Sequence, residues 1–358
     1  MIPFDTLPCS GRLHPAYRID VEGKDITSTL QPRLMSLTLT DNRGFEADQL
    51  DLELDDSDGQ LTLPRRGVRL SVSLGWQGEA LIHKGSFTVD DIEHSGAPDK
   101  LTLRGRSADF RDSLTLRREQ SYHQVTLGDI LTLIAQRNKL TTALNSTLAA
   151  ITIEHIDQTN ESDGHFITRL AEQQGVIAAI KNGKLLFMRP GQGKTARGKP
   201  IPAITLTRNQ GDSHHFSVAD REAYSGVVAH WLNTRGTKKE SVNVRRKKDN
   251  QREKKGRTLI GTDDNVYLLR HTYATKTNAE RAAQAKWQQL QRGVAKFSLQ
   301  LAQGRADLIP ETPINVSGFK AEIDQANWIL TTATHTLNDQ GFTTALTLEV
   351  KIDALDSA

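Results

Sequence analysis

The chain has 358 residues, of which 37% are apolar and 25% are charged, and its formal net charge is +3. This length favours two or three domains, and the nearly balanced charge is not typical of a disordered chain. No run of about 18 apolar residues occurs, so we expect no membrane insertion, and the single cysteine, Cys9, excludes an intrachain disulfide.

Apolar and polar residues alternate through much of the first hundred residues. Leu50, Leu52 and Leu54 alternate with acidic residues, and residues 68–74 repeat the pattern. A period of two buries one face of a strand and leaves the other face in water, so this region predicts an antiparallel sheet or barrel.

Residues 126–188 change to helical spacing and predict a small α+β unit. Thr126 and Asp129 are spaced as a capping box at the start of one helix, and Gly175 can end a second helix in the left-handed conformation. Asn182-Gly183 between two apolar runs predicts a tight hairpin turn.

The Gly/Pro-rich residues 189–202 predict a linker. Gly193-Lys194-Thr195 within it resembles the end of a phosphate-binding loop, but no strand and helix are predicted around it. Strands resume after the linker. A helix is expected over 277–292 with a capping box at 277–280, and residues 233–265 lack clear periodicity and predict a long loop.

The most basic part of the chain lies in this loop. Residues 235–257 contain eleven Lys and Arg residues against three acidic ones, while the rest of the chain is net acidic. The segment is either a solvated loop or a contact for an acidic partner subunit or passing nucleic acid, and it has no aromatic residue for base stacking. The candidate contact residues are Lys238, Lys239, Arg245, Arg246, Lys247, Lys248, Lys254 and Lys255.

No pattern in the sequence assigns a catalytic, cofactor-binding or metal-binding residue. A calcium loop around residues 51–59 fails because its twelfth position would be Arg65. His214 and His215 are adjacent, so their side chains point apart on a strand and disfavour a zinc site. We therefore expect no cofactor and no enzymatic activity.

Two distant stretches, residues 87–103 and 328–348, share an outline. In each, an aromatic residue opens a strand, a histidine follows seven residues later, and a polar turn precedes a Leu-Thr-Leu strand. The match suggests two copies of one β unit at the two ends of the chain. Because His94 and His335 take matching places, a shared packing or hydrogen-bonding role is expected for them.

The order of these parts resembles the late control D family, the baseplate hub proteins of temperate contractile-tailed phages, which are related to the hub base of type VI secretion spike proteins. Residues 68–109, 161–188 and 279–350 carry the resemblance. One departure is Glu311-Thr312-Pro313, where relatives often have a Pro-Gly turn.

The resemblance implies a mainly β fold in which two similar, tube-type β-barrel domains flank a small α+β domain. The expected domains are a first β-barrel over 1–112, an α+β domain over 113–200 and a second β-barrel over 201–358. The second β-barrel domain is expected to contain the basic loop 233–265, as an insertion in its sequence, and the helix 277–292.

The resemblance also implies a structural function in the virion tail baseplate, assembled in the host bacterial cytoplasm. A homotrimer would present six barrels and adapt a sixfold tail tube to a threefold central spike, around a channel for the tape-measure protein and DNA. Other baseplate proteins are further expected partners, and the DNA would pass without sequence-specific binding. Two other functions stay open: a tail-associated cell-wall hydrolase, and a nucleic-acid-binding protein acting through residues 235–257.

Overall fold

The structure is a computed structural model that describes residues 14–44, 46–107, 114–218, 224–233, 238–245, 265–292 and 295–350. Strands are its main element, as the sequence predicts. Within these ranges, no helix combines the length and the apolar character needed to cross a membrane.

The first part of the chain folds as strands around one core. Alternating leucines such as Leu37, Leu39, Leu50 and Leu52 are buried in this core, and the residues between them stay partly exposed. The elements are β1 (Pro15–Val21), β2 (Lys24–Asp25), α1 (Thr27–Leu30), β3 (Leu34–Asn42), β4 (Gln49–Asp55), β5 (Arg69–Trp76), β6 (Ile82–Ser95) and β7 (Lys100–Arg106).

The middle of the chain is an α+β unit with its own core. Thr126 and Asp129 form the predicted capping box, Gly175 ends a helix with a φ of 64°, and Asn182-Gly183 makes the predicted turn. The elements are β8 (Arg117–Thr126), α2 (Leu127–Arg137), β9 (Thr141–Leu144), α3 (Ser146–Ala149), β10 (Thr152–Ser162), α4 (Asp163–Gln174), β11 (Ile177–Lys181) and β12 (Lys184–Met188).

The last part of the chain contains two further cores, one around β18–β21 and one around β15–β17 with α5. Its elements are β13 (Ile204–Thr207), β14 (Gly211–Val218), β15 (Gly226–Asn233), β16 (Lys238–Arg245), β17 (Val266–Tyr273), α5 (Lys276–Arg292), β18 (Ala295–Leu301), β19 (Pro313–Ser317), α6 (Ala321–Asp324), β20 (Trp328–Asn338) and β21 (Gly341–Val350).

Two features here differ from the sequence prediction. Part of the expected loop is the strand β16, whose Val242 and Val244 pack against the core of β15–β17 and α5. Helix α5 begins at Lys276. Thr275 caps its N-terminus, because the Thr275 side-chain oxygen accepts from the Asn278 backbone N–H at 3.3 Å. The sequence did not predict β16, because its apolar alternation consists of only two valines among many charged residues.

One large sheet joins the two ends of the chain. Its strand order is β14-β18-β21-β20-β3-β4-β7-β6-β5-β1-β2, with β19 beside β20 and β13 beside β19. The junction is the antiparallel pairing of β3 with β20, which runs from Ser36 opposite Asn338 to Asn42 opposite Thr332. Leu337 and Phe342 of the β20–β21 hairpin consequently pack in the core of the first part of the chain.

The same strand order occurs twice within this sheet. The first unit runs β3-β4-β7-β6-β5-β1 and the second runs β14-β18-β21-β20-β19-β13. The two units differ at the last pair, because β5 and β1 are antiparallel whereas β19 and β13 are parallel. Each unit also has a register shift at the same place in its long hairpin, between Val89 and Asp91 in one and between Leu330 and Thr332 in the other. The pairings of the described strands follow an open path without a closed ring, so the two barrels stay a prediction.

Candidate functional site

The predicted basic site is only partly inside the described ranges. Lys238, Lys239 and Arg245 belong to β16, which pairs antiparallel with β15 so that Lys238 is opposite Asn233 and Arg245 is opposite Gly226. Lys239 is exposed. The other five candidates, Arg246, Lys247, Lys248, Lys254 and Lys255, lie outside the described residues, so their role as a contact stays a prediction.

A buried ion cluster lies where the β3–β20 junction meets the middle unit. The Nζ of Lys181, at the end of β11, donates to Asp41 at 2.5 Å, and it lies 2.9 Å from a carboxylate oxygen of Asp48. The same Nζ donates to the Asn42 carbonyl at 2.8 Å. Lys84, on β6, lies 3.4 Å from Asp41. One side chain from the middle unit thus fixes two carboxylates of the first unit.

Burial controls the protonation of this cluster. Burial and the neighbouring charge of Asp41 raise the pKa of Asp48 to about 6. Burial also acts to raise the pKa of Asp41, but the charges of Lys181 and Lys84 outweigh it and hold that pKa below its usual value. Burial lowers the pKa of Lys84. These carboxylates belong to a structural ion cluster, and neither lines any of three prominent cavities among the described residues.

The two histidines of the repeated outline have different surroundings. Counted from the register shifts, His94 and His335 occupy equivalent positions in β6 and β20. His335 is fully buried, its Nδ1 lies 3.0 Å from Thr344 Oγ1, and burial together with the charge of Lys84 lowers its pKa to about 3. His94 is exposed over 42% of its side chain and lies 3.2 Å from Asp56. Both histidines therefore make a side-chain hydrogen bond, as expected, but only His335 is packed inside a core.

A second ion cluster ties α5, the linker and β21 to the end of β3. Arg43 makes two hydrogen bonds to Glu349, the one from Nη2 at 2.8 Å, and Glu311 accepts from the Gly191 N–H at 2.9 Å. Arg292 lies 3.4 Å from Glu349. Burial raises the pKa of Glu311.

Glu311 is the first residue of Glu311-Thr312-Pro313, the turn at which a departure from the family pattern is expected. Its φ is 72°, in the left-handed region that favours glycine. In this chain, the carboxylate offsets the backbone strain through its contacts with Gly191 and Arg43. Sequence reasoning identified the unusual turn but not this ion cluster.

The middle unit has a groove of about 880 Å³. It runs between the β8–β10 ribbon and the start of α4, beside the ion pair of Glu161 with Arg169. None of the eight basic candidates lines it. Across the ranges that the structure describes, no three His, Cys, Asp or Glu side chains are arranged to hold a metal ion.

Comparison with known proteins identifies the family. The family model described as phage tail baseplate hub (GPD) matches residues 42–341. The chain belongs to this family. A hub relative, the probable baseplate hub protein of Escherichia phage 186, is 51% identical over 99% of this chain and 98% of its own length.

Solved structures share the fold of this hub family member. The 43 kDa tail protein of prophage MuSo2 from Shewanella oneidensis has a TM-score of 0.66 at 14% identity, over 93% of this chain and 98% of that chain. An Escherichia coli component of the type VI secretion system, with structural similarity to T4 bacteriophage tail proteins, has a TM-score of 0.53 at 14% identity, over 94% of this chain and 77% of that chain. At these identities, the likeness concerns the fold.

Proposed function

We propose that this protein is the hub of a contractile phage tail baseplate and acts as a homotrimeric symmetry adaptor. Family membership supports the hub role. The observation that carries the adaptor role is the strand order that occurs twice in one sheet, at the two ends of the chain. Three chains with two equivalent units each supply six units around an axis while keeping only threefold symmetry.

In the proposed assembly, each β unit completes a barrel-like domain of the ring, and the α+β unit lies between them in sequence. The domains remain those expected from the sequence, 1–112, 113–200 and 201–358. The separate cores of the first unit, the middle unit and the β18–β21 region support this division. The core of β15–β17 with α5 forms an additional layer, and α5 contacts α4 of the middle unit.

The proposed partners follow from the two symmetries of the ring. The sixfold face meets the tail tube, and the threefold face holds the central spike. The lumen surrounds the tape-measure protein and, later, DNA. The role needs no bond making or breaking, and it places the protein with other baseplate proteins in the virion tail after assembly in the host cytoplasm. The hub naming of the phage 186 relative supports this placement.

The oligomeric state and spike binding test the proposal directly. Light scattering on the full chain should give about three times the 39.7 kDa chain mass, alone or when coexpressed with the spike protein. A tagged chain should retain the spike protein through a pull-down. A chain that stays monomeric in both settings, or that never retains the spike, contradicts the adaptor role.

One observation favours a second contact, between the basic segment and DNA. Lys239 is exposed on β16, at an edge of the β16-β15-β17 sheet, and it belongs to the most basic part of the chain, residues 235–257. Replacing the eight basic candidates with Gln should remove any salt-dependent DNA binding of the purified chain. DNA affinity that survives this replacement would exclude the segment as the contact.

A further inference from the structure

One side of the long strand β6 is only half covered. β7 pairs with β6 from Thr88 to Ser95, but β5 pairs only from Ile82 to Thr88. Val89 makes the last backbone hydrogen bonds on the β5 side, with Gly67 and Val68. In the described parts of the chain, residues 91–95 of β6 therefore have a partner strand on one side only.

The equivalent place in the second unit is filled. β20 takes the position of β6 in the repeated strand order, and β21 covers one side of it along its length. On the other side, β19 pairs at residues 328–329 and β3 pairs at residues 332–338. Residues 91–95 of β6, which are open on one side, are thus equivalent to the residues of β20 that pair with β3.

The equivalent of β3 in the second unit is β14, and it also has an unused edge. β3 is bonded to β4 on one side and to β20 on the other, whereas among the strands that the structure describes β14 pairs with β18 only. β14 and β6 are separated by six strands of the same sheet, and the two do not pair with each other within the described residues. The chain therefore has two open strand edges, one on residues 91–95 of β6 and one on β14. They correspond to the two edges that meet in the β3–β20 junction.

We infer that β14 of one subunit pairs antiparallel with residues 91–95 of β6 in the next subunit, repeating between chains the β3–β20 junction within the chain. This inference rests on the proposed trimer and specifies its interface. The register follows from matching β6 to β20 and β14 to β3, each aligned at its register shift. Applied to the β3–β20 pairing, this match predicts four opposed pairs. These are Ile92 with Val218, Glu93 with Ser217, His94 with Phe216, and Ser95 with His215.

The side chains at the two edges fit this pairing. Val218 is 46% exposed and Ile92 is half-buried, so the contact would cover apolar surface left open in the single chain. Residues 213–218 contain no carboxylate, so β14 places no like charge against Asp91 or Glu93.

The pairing also explains the two histidines. His335 is buried on β20, which is paired with β3, whereas His94, at the equivalent position of β6, is exposed. The neighbour's β14 would bury His94 in the same way. The interface is heterologous, since two different edges meet, and a heterologous contact either closes into a ring or extends as a filament. Three chains with alternating internal and external junctions close a ring of six units.

Disulfide capture in the full chain tests the register. Glu93→Cys and Ser217→Cys are combined in a Cys9→Ser background, and a second variant carries Ile92→Cys with Val218→Cys, because successive antiparallel pairs alternate in side-chain separation. Oxidation should convert at least one variant into a covalent trimer. Each single-cysteine chain alone should give no link, and a mixture of the two single-cysteine chains should give dimers. The control variant combines Ser217→Cys with Ser121→Cys, which lies on the exposed and distant strand β8. Oxidation of this variant should give no cross-link between chains.

A second test introduces a charge at the open edge of β14 and measures the native mass, without any cross-link. Val218→Asp should reduce the native mass from that of a trimer to that of a monomer, whereas Leu268→Asp, at a similarly exposed apolar residue on β17, should leave the trimer intact. A wild-type trimer that neither cross-links nor responds to Val218→Asp overturns this interface and leaves the proposed hub role standing. A chain that is monomeric with and without the spike protein overturns both.

Discussion

The buried imidazole of His335 gives the protein a pH dependence whose size follows from the structure. Its pKa is about 3 in the folded chain and 6.5 for an unperturbed histidine. Between these values, the unfolded chain binds a proton that the folded chain does not, so stability falls as the pH falls. Between pH 7 and pH 5, this protonation lowers the free energy of unfolding by about 2 kcal/mol.

Asp48 acts in the opposite direction over the same range. Its pKa is about 6 in the folded chain against an ordinary 3.8, so here the folded chain binds the proton and stability rises as the pH falls. The same calculation gives a gain of about 1 kcal/mol between pH 7 and pH 5. Asp41, whose pKa is lowered, contributes only at pH values below its ordinary range.

His335→Gln separates the two effects, because glutamine can still hydrogen-bond to Thr344 but does not titrate. The two opposing effects should largely cancel in the wild type between pH 7 and pH 5, whereas in the variant Asp48 alone should raise the free energy of unfolding by about 1 kcal/mol. Urea unfolding followed by tryptophan fluorescence measures this, since Trp76 and Trp328 lie in the cores on either side of the junction.

Other titrating groups cancel in the comparison between variant and wild type. The control Asp48→Asn should change the pH dependence in the opposite sense, making the loss at pH 5 larger by about 1 kcal/mol than in the wild type. If the unfolding free energies of wild type and His335→Gln shift in parallel between the two pH values, His335 is not held neutral by burial and the reasoning fails.

Three further substitutions test the contacts between units by urea unfolding. Lys181→Met leaves two buried carboxylates without their shared cation and should cost about 3–5 kcal/mol, while Lys181→Arg keeps a cation and should cost less. Gly175→Ala places a Cβ 2.3 Å from the Ala285 Cβ, so it should cost more than Gly183→Ala, which has a similar φ but open space around it. Glu311→Ala should cost more than Glu311→Gln, because only glutamine keeps an oxygen for the Gly191 N–H.

Each comparison has a result that contradicts it. Equal losses for the methionine and arginine variants at position 181 would mean that charge is not what holds the middle unit. Equal losses for the two glycine variants would mean that α4 does not contact α5 closely at Gly175. A glutamine variant at position 311 as unstable as the alanine variant would exclude the hydrogen bond as the source of the effect.

The sequence by itself determined the local elements and the family. The alternation at Leu50, Leu52 and Leu54, the capping box at Thr126 and the turn at 182–183 each depend on residues only a few positions apart, so short-range sterics and hydrogen bonds fix them. The ordered set of such features was sufficient for the resemblance to the hub family. The repeated β unit was also visible, through the matching positions of His94 and His335.

Only the tertiary structure decided how the units meet. The β3–β20 pairing, the ion pairs of Lys181 and the strand β16 depend on which distant segments come together, and period-two alternation is the same for any partner strand. His94 and His335 show the physical reason most directly. Their local sequence outlines match, but one is exposed and the other is buried beside a neighbouring strand, and that strand is supplied by a part of the chain far away in sequence.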